Sequence, residues 1–158
     1  MKTVTPRKGP KGRRAKSNPS ARETSFTAER ETVAPIPLRI LMAEDDPHVN
    51  NVLELVLTHH GYSVKAACDG IQALSLLQHE PEAFDLILTD HQMPNLNGLG
   101  LVRHLRAANY PGKIVVFASP PTPDEQSAYQ ALRINRLLFK PIENSLLLKA
   151  IEEALLER

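Results

Sequence analysis

The sequence predicts an α/β protein: a doubly wound, five-stranded parallel sheet in the order 2-1-3-4-5 with helices on both faces. Three observations carry that expectation. Short apolar runs and segments with a helical period alternate five times between residues 38 and 158, and right-handed crossovers then force the strands parallel and cover both faces of the sheet. The runs "LRILMA", "FDLILTD" and "KIVVFA" are built on unbroken apolar stretches, as strands covered on both faces are. The run "YSVKA" alternates apolar with polar, which suits an edge, and the order 2-1-3-4-5 leaves the second strand at one.

The elements follow in chain order. A first strand over 38–43 passes directly into a helix, with Asp46 as cap and Pro47 at the first helical position. Val49, Val52, Leu53, Val56 and Leu57 recur at steps of three and four, and Gly61 offers a left-handed stop. The second strand spans 62–66. After the Asp69–Gly70 turn, Ile71, Leu74 and Leu77 mark a second helix that Pro81 closes, and the third strand covers 84–90. Leu99, Val102 and Leu105 form a third helix ending before Pro111–Gly112, and 113–118 is the fourth strand. "SPPTPDE" stops the chain and restarts it, with Thr122 as cap, Pro123 first in the helix and two acids in the first turn. That fourth helix reaches about Ile134. Residues 136–139 form the fifth strand, Lys140–Pro141 a turn, and Leu147, Ile151, Ala154 and Leu155 the stripe of a last helix.

A chain of 158 residues suits one domain, here 38–158. Residues 1–37 differ in kind: nine Lys/Arg stand against three Glu, whereas 38–158 carry ten against fifteen Asp/Glu. With five prolines and no hydrophobic period, 1–37 read as a disordered basic tail. Its run "RKGPKGRRAK" is inert, touches nucleic acid or an acidic partner weakly, or serves as a targeting peptide. A single cysteine, Cys68, forms neither an intrachain disulfide nor a Cys-based zinc cage. The apolar runs fall far short of the roughly 20 residues a membrane helix needs. A soluble, cytoplasmic protein without membrane contact is the expectation.

In such a sheet ligands sit beyond the carboxyl ends of the strands, at the switch point between the first and the third. Those ends carry Glu44, Asp45 and Asp46, then Asp90, then Ala118 and Ser119, then Lys140. Carboxylates converging on one rim repel each other unless cations sit among them, and Lys140 offers one charge. A divalent, oxygen-preferring ion such as Mg²⁺ supplies the rest, since one or two protein carboxylates suffice for it. With metal and lysine nearby, Asp90 becomes a candidate nucleophile toward phosphorus.

These residues resemble the receiver domain of two-component response regulators, of the stand-alone, chemotaxis-regulator-like type. The marks are "ILMAEDDP", "LILTDHQMPNLNG" and "LLFKP", in the family's order and spacing, and the likeness covers essentially all of 38–158. It implies the flavodoxin-like receiver fold and a signalling phospho-acceptor rather than an enzyme, its chemistry limited to its own phosphorylation and dephosphorylation. It also implies that Asp90 accepts phosphate from a phosphohistidine of a sensor histidine kinase or phosphotransfer protein. Asp45 and Asp90 would bind Mg²⁺, with Glu44 reaching it through water and Gln92 through its main-chain carbonyl. Lys140, normally followed by a cis proline, would hold a phosphoryl oxygen. Output would pass through protein contacts, with docking or homodimerisation on the face of the fourth helix, fifth strand and fifth helix.

Two positions depart from the family pattern. Where a Thr or Ser hydroxyl usually follows the fourth strand, counting back from Lys140 reaches Ala118, with Ser119 one residue later. The aromatic switch position, three before the lysine, is Leu137. A degenerate receiver that binds a partner without phosphate control is therefore the alternative. A Mg²⁺-dependent phosphatase would need a second acid where Gln92 stands. His91 reads as an exposed loop histidine, with a gate on access as the other reading, and His59–His60 as a complement to a helix dipole. "NGLG" at 97–100 lacks the third glycine of a dinucleotide fingerprint.

Overall fold

The computed structural model describes residues 36–80 and 84–157. Strands and helices alternate as β1 (Arg39–Ala43), α1 (Pro47–His59), β2 (Ser63–Ala67), α2 (Gly70–His79), β3 (Leu86–Asp90), α3 (Gly98–Ala107), β4 (Lys113–Ala118), α4 (Pro123–Ala131), β5 (Arg136–Phe139) and α5 (Asn144–Leu156). The sheet order is β2-β1-β3-β4-β5 and every pairing is parallel, as expected. The readings of 1–35 and of Pro81 as a stop fall outside the described residues. Among the described residues, no helix is long and apolar enough to cross a membrane.

Alternation along the buried strands sends side chains to two cores. Leu41, Ile87, Ile114 and Val116 pack with Leu101, Val102 and Tyr129 on one face. Ile40, Met42, Leu86, Leu88, Val115 and Phe117 pack with Leu57, Leu147 and Ile151 on the other. Each such side chain, fully removed from water, contributes about 1.5–3 kcal/mol. This burial on both sides is why the strands read as apolar runs.

β1 begins one residue late, at Arg39, and β2 ends one residue late, at Ala67; for three further departures from the sequence reading, local hydrogen bonding gives the cause. β2 begins one residue late because the Tyr62 N–H bonds back to the Leu57 carbonyl at 3.2 Å, closing α1. β3 begins at Leu86 because the Asp85 carboxylate accepts from the Arg39 N–H at 2.7 Å. α4 stops at Ala131 rather than near Ile134: Arg133 is left-handed at φ 52°, and the Arg106 guanidinium binds the Leu132 and Arg133 carbonyls at 2.9 and 2.8 Å. The caps behave as expected. Asp46 accepts from the His48 and Val49 N–H groups, Thr122 and Glu125 form a capping box, and Gly61 ends α1 at φ +86°.

Register brings the functional ends together. Ala43 pairs with Thr89, Asp90 with Phe117, and Ala118 with Phe139, so Glu44, Asp90 and Lys140 stand on one rim of the sheet.

Candidate functional site

Each charged group of the rim is held by a strand end. Glu44 leaves β1 with its N–H bonded to the Ala67 carbonyl at 3.0 Å, and its side chain is 1% exposed. One Glu44 oxygen accepts from the Asp46 N–H at 3.1 Å, the other from Lys140 Nζ at 3.2 Å. Asp90 ends β3 and is buried. Its Oδ2 lies 3.0 Å from Lys140 Nζ and its Oδ1 accepts from the His91 N–H at 2.7 Å. Asp45 is exposed, and Glu44, Asp45 and Asp90 each offer a carboxylate oxygen within 4.8 Å of the others. Lys140, joined to Pro141 by a cis peptide bond, also has its Nζ 4.3 Å from the centroid of the Phe117 ring. The structure thus brings together Glu44, Asp45, Asp90 and Lys140, and gives Asp46 to the helix cap. Gln92 is exposed two residues beyond Asp90 in the loop that follows β3.

Electrostatics within the cluster are one-sided. Burial, with the Asp90 charge added, pushes the Glu44 carboxyl above its ordinary range against the opposing Asp46 N–H and Lys140. Partial burial works against the Lys140 ammonium, but Asp90 and then Glu44 outweigh it and its pKa is raised. Among the described residues, three carboxylates against one ammonium leave an excess of negative charge on an all-oxygen donor set, two of its members buried. Hard divalent cations such as Mg²⁺ prefer that chemistry, so the residues fit the ion.

The loop that follows β3 is tied on its other side to α3 and α2. The Gly98 N–H bonds to the His91 carbonyl at 2.9 Å, and a Cβ at Gly98 would collide with the Asp90 carbonyl oxygen and come within 3.0 Å of His91 Cα. Asn95, left-handed at φ 61°, donates to Asp69 at 2.6 Å.

His91 is not the exposed loop residue its sequence context suggests. It is 5% exposed, because its ring turns inward against α4: Nδ1 lies 2.7 Å from the Tyr129 hydroxyl and Nε2 3.0 Å from a Glu125 oxygen. Neither Tyr129 nor Glu125 is singled out by sequence reasoning. The available signal was composition, since Tyr129 is the one large ring in the otherwise polar helix "PDEQSAYQA". Register also decides between Ala118 and Ser119. Ala118 ends β4, fully buried, and its carbonyl accepts from the Lys140 N–H at 2.7 Å, while Ser119 lies exposed beyond the strand. Leu137 packs against the core that holds Tyr129.

A family model described as "Response regulator receiver domain" matches residues 40–152. The chain belongs to that family. Over 117 residues this receiver domain is 36% identical to the sensor protein EvgS of Escherichia coli, covering 73% of this chain and 9% of that protein. It is 33% identical over 121 residues to the transcriptional regulatory protein GlrR of Escherichia coli, covering 75% and 26%. The chain thus spans well under half the length of these curated relatives. The chemotaxis protein CheY4 of Vibrio cholerae superposes with a TM-score of 0.69 at 25% identity, over 75% of this chain and 99% of that one. A CheY-like receiver domain protein of Methanospirillum hungatei shares the fold at a TM-score of 0.71 and 23% identity, over 76% and 94%.

Proposed function

We propose that the receiver domain accepts a phosphoryl group on Asp90, in a Mg²⁺-dependent reaction, from a phosphohistidine of a sensor histidine kinase or phosphotransfer protein. The observation that carries this reading is Lys140 Nζ, held 3.0 Å from Asp90 Oδ2 and 3.2 Å from Glu44 Oε2. In the transfer, an Asp90 oxygen attacks phosphorus, the P–N bond breaks as the P–O bond forms, and the donor's imidazole, already protonated on its other nitrogen, leaves as the neutral ring. Lys140 holds a phosphoryl oxygen and offsets charge that a buried carboxylate alone would repel. Asp45 and Asp90 directly, Glu44 through water and Gln92 through its carbonyl would hold the ion, which would supply further neutralisation of phosphoryl charge. The domain works as a cytoplasmic signalling module rather than a catalyst acting on a separate substrate. Its output passes through protein contacts, with the face of α4, β5 and α5 as the docking or homodimer surface.

Ala118 favours a second reading, a degenerate receiver that binds its partner without phosphate control. One experiment separates them. The protein is incubated with acetyl phosphate with and without Mg²⁺ and weighed by mass spectrometry. A phosphoryl adduct that needs Mg²⁺ and is lost in Asp90→Asn is expected. No adduct in the natural sequence, together with no Mg²⁺ binding by titration, leaves the degenerate reading.

A further inference from the structure

The link from the acceptor loop to α4 runs through one buried ring. The His91 N–H donates to Asp90 Oδ1 at 2.7 Å, and both ring nitrogens of the same residue are engaged by α4, at 2.7 Å by Tyr129 and at 3.0 Å by Glu125. An ionised Glu125 oxygen only accepts, so Nε2 donates to it, and in the neutral imidazole Nδ1 accepts from the Tyr129 hydroxyl. Burial first, then the charges of Glu125 and Asp90, push the Tyr129 pKa up, which keeps that hydroxyl a donor. The two rings meet edge to face, centroids 5.7 Å apart at 72°. Glu125 is itself fixed, since its other oxygen accepts from the Thr122 N–H and hydroxyl at 2.8 and 2.9 Å. The contact therefore grips α4 at its first turn and its buried face together.

We propose that His91 is a positioning residue through which α4 reads the state of Asp90, with Tyr129 and Glu125 as its grips. The inference rests on Asp90 being the phospho-acceptor. Phosphorylation moves negative charge from the Asp90 carboxylate to the phosphoryl oxygens and weakens the bond from the His91 N–H. A buried ring with both nitrogens paired cannot follow that main-chain change alone: either α4 moves with it or a buried polar atom loses its partner. Ala118 and Leu137 bring no polar side-chain atom to the end of β4 or to β5 for an alternative link. The aromatic residue comes instead from α4, in the same apolar core on which Leu137 packs.

The test is amide hydrogen exchange across residues 123–131 of the full chain, before and after treatment with acetyl phosphate and Mg²⁺, with mass spectrometry scoring phosphorylation in each sample. Phosphorylation is expected to change α4 exchange by about fivefold in the natural sequence, the scale of one hydrogen bond. Tyr129→Phe is expected to phosphorylate as well and to diminish that change, the Glu125 contact being left in place. His91→Phe removes that bond together with the one to Glu125, and the double variant should lose no more than His91→Phe alone. Should Tyr129→Phe unfold, His91→Phe carries the test. An α4 response absent from the phosphorylated natural sequence, or undiminished in the variants, overturns this inference alone. No phosphoryl adduct on the natural sequence overturns the acceptor reading and this inference with it.

Discussion

The two flanks of the acceptor strand's end are built on different plans. Toward β1 and β5, every functional group is a charged side chain within two residues of a strand terminus: Glu44, Asp45 and Lys140 around Asp90. Toward β4 and α4 the strand terminus is Ala118, and the polar groups come from a loop and a helix: His91, Tyr129 and Glu125. The first flank is a cluster of three carboxylates around one ammonium, held by charge. The second is a packed, hydrogen-bonded device in which nothing can be removed without leaving a buried atom unpaired. Chemistry and mechanical linkage are therefore separable, and substitutions on the two sides should fail differently.

The sharpest way to break that separation is Lys140→Met. It removes the one ammonium that faces Glu44 and Asp90 among the described residues, and phosphorylation by acetyl phosphate is expected to slow by about a hundredfold or more, the scale of losing one preorganised charge-stabilising group. Initial rates followed by mass spectrometry measure it, with Tyr129→Phe as the counterpart expected to keep the natural rate. Equal slowing in both would mean that the flanks are not independent.

A second substitution should strike both sides at once. Gly98 supports the loop where the flanks meet, and a methyl group there would collide with the backbone of Asp90, which cannot rotate away as a side-chain tip would. Gly98→Ala is expected to cost about 1–3 kcal/mol, as overpacking does, read from urea unfolding curves. Phosphorylation and the α4 response should fall together. Loss of only one would show that the loop serves that flank alone.

Why the first flank was legible and the second was not follows from the same contrast. A parallel sheet gathers the carboxyl ends of its strands, so locating the apolar runs that end before Glu44, on Asp90 and before Lys140 is enough to place those residues on one rim. Displacements of one or two residues at the starts of β2 and β3 did not matter, because they fall at the opposite ends. His91 depends instead on which way a loop turns, which no apolar period records. Tyr129 depends on the phase of a helix whose nine residues include few apolar ones. The bond from Asn95 to Asp69 requires a left-handed residue, a conformation that Asn tolerates but its sequence context does not announce.

Asp69 offers the smallest expected effect and the strictest control, since it anchors the acceptor loop without belonging to either flank. It caps α2 by accepting from the Gln72 N–H at 2.7 Å, and holds Asn95 at 2.6 Å. The Gln72 N–H first, then the Asn95 amide, keep its carboxyl below the ordinary range. A folded pKa below the unfolded one means that the charged form stabilises the fold above about pH 4, and that this contribution disappears as pH falls through the lowered value. Asp69→Ala is expected to cost about 1 kcal/mol at neutral pH, the ordinary worth of a helix cap. Unfolding curves of the variant and the natural sequence should converge on acidification, while Asp69→Asn, which can still cap, should lie between them at neutral pH. Phosphorylation rate and α4 exchange response should both be unchanged in the folded variants. If either shifts, the Asn95 end of the loop transmits to the site, and the acceptor loop must be counted as a third working part rather than as the seam between two.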